Sequence, residues 1–284
     1  MSICHRSSIP MLMFLIVGWL SSGLALAQSQ GTPSTAPEQT TSPRASGTTP
    51  HDDQLHLLLT GYLWFPGVHG TVGSHGYESG VRASAAELLS HFHLGLMGVT
   101  EIRKKRLLST IDLIWVNLDA SAGTATPFPE VPTLSARVGF NQLILTPKVG
   151  VRVINSKYVT IDGLAGIRNW NLKSTLEFTP PPFGGSGDFS RSQSWVDPVV
   201  GSRFQVPLNS YFTFTVAGDV GGWGAGSQMD YQIFGGLSLK LKPRVVMNTG
   251  WRYLFVNYRS SNFTYETVQT GFVLGVTFDA LKRK

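Results

Sequence analysis

Beyond residue 54 the chain alternates apolar and polar residues one by one, in segment after segment. This period of two constrains the fold more than any other feature. In 228–241, Met229, Tyr231, Ile233, Leu237, Leu239 and Leu241 share one face, while Asp230, Gln232, Ser238 and Lys240 take the other, with Phe234 among them. In 211–221, Phe212, Phe214, Val216 and Val220 oppose Thr213, Thr215 and Asp219. In 264–278, Val268, Phe272, Leu274, Val276 and Phe278 oppose Tyr265, Thr267 and Gln269. Side chains spaced two apart line one face of a strand; a helix would gather them every three or four positions.

Ten such strands are expected: 54–65, 91–103, 107–119, 134–154, 158–178, 194–206, 211–221, 228–241, 244–258 and 264–278. Most exceed the roughly 9–11 residues with which a tilted strand crosses a bilayer. Short connections (104–106, 155–157, 207–210, 242–243) alternate with longer ones (66–90, 120–133, 179–193, 222–227, 259–263). That rhythm predicts an all-β, antiparallel up-and-down transmembrane β-barrel over 54–284, with eight or twelve strands as alternatives to ten. An even strand number sets both ends of the barrel on the short-turn, periplasmic side. A soluble sandwich would carry charge on its outward faces, where this chain has Val, Leu and Phe.

The composition agrees. Only 14% of residues are charged, against about 25% in an ordinary soluble domain. No apolar run after residue 27 approaches the length of a membrane-spanning helix. The mean hydropathy of +0.05 is that of two opposite strand faces averaged.

Residues 1–27 read as a secretory signal: Arg6, an apolar run from Met11 to Leu20, then Ala25-Leu26-Ala27 as a cleavage site, with Gln28 as the mature start. The lone cysteine, Cys4, leaves with that segment, so the exported chain has no thiol for a disulfide, a nucleophile or a metal. Residues 28–53 are rich in Ser, Thr, Pro, Gln and Gly without periodicity. They cannot bury enough apolar area to offset their ordering entropy, and a disordered periplasmic tether is expected there.

Six tryptophans, Trp64, Trp115, Trp170, Trp195, Trp223 and Trp251, fall in the long-loop halves or at the ends of their strands. They are expected to form a girdle at the headgroup level, where a half-wet indole is favoured, although some must point inward. In the first long loop, Ser84-Ala85-Ala86-Glu87 is a capping box and predicts one short helix over 85–90.

The triplet Gly-x-Arg recurs at Gly150–Arg152, Gly166–Arg168, Gly201–Arg203 and Gly250–Arg252, each time in the inward phase. Glycine is expected to leave room for a guanidinium to fold across a narrow lumen. Inward acids available to Arg152, Arg168, Arg203 and Arg252 are Glu101, Asp112, Asp162, Asp197, Asp219, Asp230 and Glu266. Unpaired charge is costly there, so an ion-pair network filling the lumen is expected. A polar conduit or anion-contacting site is the other reading of the same residues.

Catalysis and metal binding have little support. His91-x-His93 sets two imidazoles on one face without a third ligand at a recognisable spacing, so no metal site is expected. Glu87, Ser90 and His91 crowd together at one rim, which keeps an envelope hydrolase as a third reading. No cofactor is implied. Residues 54–284 carry 21 basic and 14 acidic side chains. Eleven of the basic ones lie at expected periplasmic ends: Arg103, Lys104, Lys105, Arg106, Lys157, Lys240, Lys242, Arg244, Lys282, Arg283 and Lys284. No aromatic–basic platform accompanies them, so nucleic acid is not an expected partner. Phospholipid headgroups inside, lipopolysaccharide outside and the barrel-assembly machinery are the expected partners.

Several segments resemble a group of uncharacterised bacterial outer-membrane β-barrel proteins, loosely similar to small barrels of the OmpA/OmpW type. They are Gly61-Tyr62-Leu63-Trp64, Ser84–Leu89, Gly166-Ile167-Arg168-Asn169-Trp170, Trp195–Arg203, Gly218–Gly222 and Gly250-Trp251-Arg252-Tyr253-Leu254. The resemblance implies a fold and a membrane rather than an activity. Such barrels commonly end on an aromatic residue, whereas here Phe278 is followed by six further residues.

Overall fold

The computed structural model describes residues 54–74, 77–124, 134–179 and 187–281. The expected signal segment and tether lie outside the described residues. Eleven strands and one helix run in the order β1 (Leu55–Ser74), β2 (Tyr77–Ala83), α1 (Ala85–Ser90), β3 (Phe92–Lys104), β4 (Leu107–Thr124), β5 (Leu134–Asn155), β6 (Thr160–Thr179), β7 (Gly187–Pro207), β8 (Phe212–Gly222), β9 (Met229–Lys242), β10 (Val245–Ser260) and β11 (Phe263–Asp279). Each strand from β3 to β11 pairs with its neighbour in sequence, and β11 returns to β1 antiparallel, which closes a ten-stranded barrel. Closure satisfies the edge hydrogen bonds that an open sheet would leave bare. At the closing seam His56 Nδ1 meets Asp279 Oδ2 at 2.8 Å.

The first long connection differs from the expectation. The strand expected to stop at residue 65 continues to Ser74, and β2 folds back on its upper half, from Ser74↔Tyr77 to Val68↔Ala83. The short helix stands where expected. Ser84 Oγ accepts from the Glu87 amide at 3.2 Å, and the Ser84 amide donates to Glu87 Oε2 at 2.6 Å. β1 thus has two partners on one side: β3 along Leu55–Gly61 and β2 along Val68–Ser74.

The phases read from the sequence are those of the barrel. Leu63, Leu96, Val149, Ile167, Phe214, Leu237 and Val276 are exposed on the outside, whereas Ile114, Ile144, Arg168, Asp197, Asp230 and Val256 are buried within. The glycines of the Gly-x-Arg triplets have a different role from the one expected. A Cβ at Gly150, Gly166, Gly201 or Gly250 would lie 2.4, 2.1, 2.2 or 2.4 Å from a carbonyl oxygen of the next strand, belonging to Gly163, Pro147, Gly218 or Gly235. These positions let backbones approach where the sheet coils inward; they do not merely make room for a guanidinium.

Replacing Gly201 by Ala is therefore expected to cost about 1–3 kcal/mol, the range for overpacking a filled site. Gly235, whose Cβ would meet nothing within 4 Å, is the control, with Gly235→Ala expected within about 0.5 kcal/mol of the parent. Urea unfolding in detergent micelles, followed by tryptophan emission, measures both.

Candidate functional site

The strands deliver their inward charges to the lumen in two connected groups. Nearer the short turns, Arg203 of β7 reaches across to Glu101 of β3 (Nη1 to Oε2, 2.5 Å) and sideways to Asp162 of β6 (Nη2 to Oδ2, 2.8 Å). Arg152 Nε donates to the other oxygen of Asp162 at 2.9 Å. Arg103 adds a longer contact to Glu101 at 3.7 Å.

The second group fills the middle. Arg168 of β6 donates to Asp219 of β8 at 2.6 Å, to Asp230 of β9 and to Thr146 of β5 at 3.3 Å. Asp219 also accepts from Lys148 Nζ at 2.8 Å and from Gln232 Nε2 at 2.7 Å. Gln232 Oε1 in turn accepts from Arg252 of β10 at 2.6 Å. Arg252 donates to Asp112 of β4 (2.6 Å) and to the Tyr62 hydroxyl (2.8 Å), and that hydroxyl donates back to Asp112 at 2.7 Å. These contacts are chords across the barrel, not links between adjacent strands alone. Glu101, Asp112, Asp162, Asp219 and Asp230 meet Lys148, Arg152, Arg168, Arg203 and Arg252 in equal number, and Arg103 beside Glu101 leaves one positive charge in excess.

Two expectations need correction. Asp197 is buried in the lumen but pairs with no arginine in the described network. It accepts from the Ser227 amide at 2.6 Å, from the Ser227 hydroxyl, and from Trp195 Nε1 at 3.0 Å. Those donors satisfy a carboxylate without a cation, and they pin the turn after β8 to β7. Glu266 likewise pairs away from the central network, with Arg259 at 2.7 Å on the exposed long-loop side.

The tryptophan girdle is the second correction. Trp64, Trp170 and Trp195 are buried inside the barrel; Trp115 lies in the outward phase opposite buried Ile114, and Trp251 and Trp223 are exposed. The inward three share the phase of Tyr62, Arg168 and Asp197, so the period that assigns the charges assigns them too. Trp170 and Trp195 stack at 5.4 Å, Trp195 stacks on Tyr258 at 4.1 Å, and Trp170 Nε1 donates to Asp230 at 3.1 Å.

The lumen is consequently layered. On strand after strand the charged or polar inward residue is followed, two positions nearer the long loops, by an apolar or aromatic one: Asp112 by Ile114, Arg168 by Trp170, Arg252 by Leu254, Tyr62 by Trp64. The ion pairs lie toward the short turns and most buried aromatic and aliphatic side chains toward the long loops, where Gln142, Gln269 and Tyr265 add a neutral hydrogen-bonded cluster.

Lys148, Gln232, Thr146 and Tyr62 were not among the expected network residues. Lys148 shares the inward phase of Gly150 and Arg152, and Gln232 that of Asp230. At the rim, the Glu87 carboxylate is committed to the Ser84 amide, while His91 Nδ1 lies 2.8 Å from the Glu87 backbone oxygen and 3.1 Å from Ser90 Oγ. No group of three potential metal ligands occurs among the described residues.

No protein-family profile matches the chain, and no curated protein sequence matches it. Among solved structures, the outer-membrane protease OmpT of Escherichia coli superimposes with a TM-score of 0.51 at 10% identity, covering 82% of this chain and 99% of that one. The translocator domain of the autotransporter NalP from Neisseria meningitidis matches with a TM-score of 0.42 at 14% identity, covering 80% and 90% of the two chains. At that level of identity the OmpT likeness is one of fold: the chain has the outer-membrane β-barrel fold.

Arg168→Ala strands Asp230 with Trp170 as its one remaining described donor, while Asp219 keeps Lys148 and Gln232. The variant is expected to lose about 3–5 kcal/mol, the cost of orphaning a buried charge. Adding Asp230→Asn is expected to recover part of that loss. Urea midpoints of the single and double variants in micelles measure the difference.

Proposed function

We propose that the protein resides in a bacterial outer membrane as a barrel closed to solutes, with a non-catalytic role in envelope structure or interaction. The observation that carries this reading is the set of ion-pair chords across the lumen. Arg168, Asp162 and Asp230 are fully buried, so a solute would have to break their pairs in order to pass. A barrel of about this strand number has an interior that side chains can fill. Its outward face of Leu, Ile, Val and Phe suits lipid, with Trp115 and Trp251 on the lipid-facing side.

In that setting the short turns face the periplasm. Exposed Lys104, Lys105, Arg106 and Lys242 would there meet anionic phospholipid headgroups, while the long-loop end would meet lipopolysaccharide. The barrel-assembly machinery is the partner that insertion requires. The OmpT likeness supports the envelope setting and does not extend to proteolysis.

Planar-bilayer recording tests the closed lumen. The wild-type protein is expected to give no single-channel steps, and Arg203→Ala combined with Arg252→Ala is expected to open them. Stable wild-type steps would replace this reading with that of a narrow channel.

A further inference from the structure

The barrel wall is split between β1 and β3. The β1–β3 ladder ends at Gly61↔Gly98, and the β1–β2 ladder begins at Val68↔Ala83. Among the described residues, no strand pairs with Tyr62–Gly67 on that side. The facing stretch of β3, Phe92–Met97, pairs only with β4.

The split lies in the apolar belt. Leu63 is eight residues from Leu55 at the short-turn end of β1, and Leu96 eight from Lys104 at that of β3. Leu63, Leu94 and Leu96 are each more than half exposed beside it. An open backbone edge at this depth is tolerated only where something covers it.

What stands over the split is α1, whose start adjoins Gly67: a Cβ there would be 3.8 Å from the Ala85 amide nitrogen. The helix has no buried residue, and Leu89 is 56% exposed. It rests against the wall without being packed into it.

Behind the split lies the hydrophobic layer. Trp64 and Met97 flank it from the inside, and continuing the ladder register would set Trp64 opposite Gly95, over which the Phe92 ring lies, 2.8 Å from where a Cβ would stand. Trp64 is 4% exposed, its ring lies over the Arg252 guanidinium, and its Nε1 has no hydrogen-bond partner among the described residues. A buried indole N–H normally finds an acceptor, and leaving it without one is costly.

We propose that this seam is a lateral opening through which an acyl chain of an outer-leaflet lipid enters the upper lumen, a lipid carbonyl oxygen accepting from Trp64 Nε1. The opening faces the bilayer, so the occupant comes from the lipid around the barrel and not from the aqueous mouth. Leu63, Leu94 and Leu96 form its apolar sill, the Phe92 ring over Gly95 an inner gate that an entering chain displaces, and α1 a cover that can lift without disrupting a core. The site goes beyond the closed-lumen reading and does not depend on it, because the polar layer lies below.

The test reconstitutes the full-length protein in phosphatidylcholine vesicles with or without bromine at mid-chain, and takes the emission lost in Trp64→Phe as the contribution of Trp64. That contribution is expected to be largely quenched by the brominated lipid. Continuing the register sets Leu63 opposite Leu96 and Phe65 opposite Leu94. Oxidising a Leu63→Cys/Leu96→Cys pair, or Phe65→Cys/Leu94→Cys should the first not form, is expected to close the seam and remove the quenching, and reduction to restore it. Equal Trp64 emission in both lipids overturns the proposal, as does quenching that persists in the oxidised protein, since bromine would then act through an intact wall.

Discussion

A carboxylate inside a closed barrel has few waters to turn to, so it must find donors within the protein, and in the central network those donors sit on other strands. That requirement organises the lumen. Asp219 accepts from Arg168, Lys148 and Gln232, and through Gln232 it is joined to Arg252, Asp112 and Tyr62. Because the partners sit on β4, β5, β6, β8, β9, β10 and β1, the network forms only when the sheet has closed in one register. A slip of one residue would turn each of these charges to the outside. The pairs add little net stability over an apolar filling, but they penalise wrong registers heavily.

The same strands must come close enough for those chords to be short. At each Gly-x-Arg triplet the neighbouring carbonyl occupies the place of a Cβ, and two residues later an arginine projects into the lumen. The triplet joins a backbone requirement to an electrostatic one. Ala at the glycine would push the strands apart and lengthen the contacts of the arginine beside it. Overpacking at Gly166 and loss of charge at Arg168 thus converge on the same region of the barrel.

Most of this was legible in the sequence, for a physical reason. Where a strand separates an apolar exterior from a polar lumen, the two solvents differ and the period of two is strong. It places all ten wall strands and the inward phase of Arg152, Arg168, Arg203 and Arg252. The extension of β1 to Ser74, and β2 with it, escaped because Gly70, Gly73, Glu78 and Ser79 carry no apolar face. A hairpin standing beyond the apolar belt has no need of one. Partner choice escaped too: that Asp197 would take Ser227 and Trp195 depends on where the turn after β8 folds back. The inward tryptophans are legible in the sequence too, because phase with Tyr62, Arg168 and Asp197, and not depth along the strand, decides which side of the wall they take.

The seam between β1 and β3 departs from the rule that the rest of the wall obeys. Most other adjacent strands run as nearly continuous ladders, although the β7–β8 ladder stops at Val199↔Gly221, and inward charges are answered within the lumen. Here, in the upper half of the belt, a stretch of β1 and β3 has no strand between its edges and one buried indole N–H has no partner among the described residues, next to the one helix of the described fold. Had the chain only to close a barrel, β3 could follow β1 past Gly61 with the same register, since the leucines on either side already lie in phase. Instead β2 and α1 take that space at the top, and on the inner side the Phe92 ring lies over Gly95. The polar layer below is untouched by the break, so the wall can part near the long loops while the ion pairs beneath hold the barrel shut.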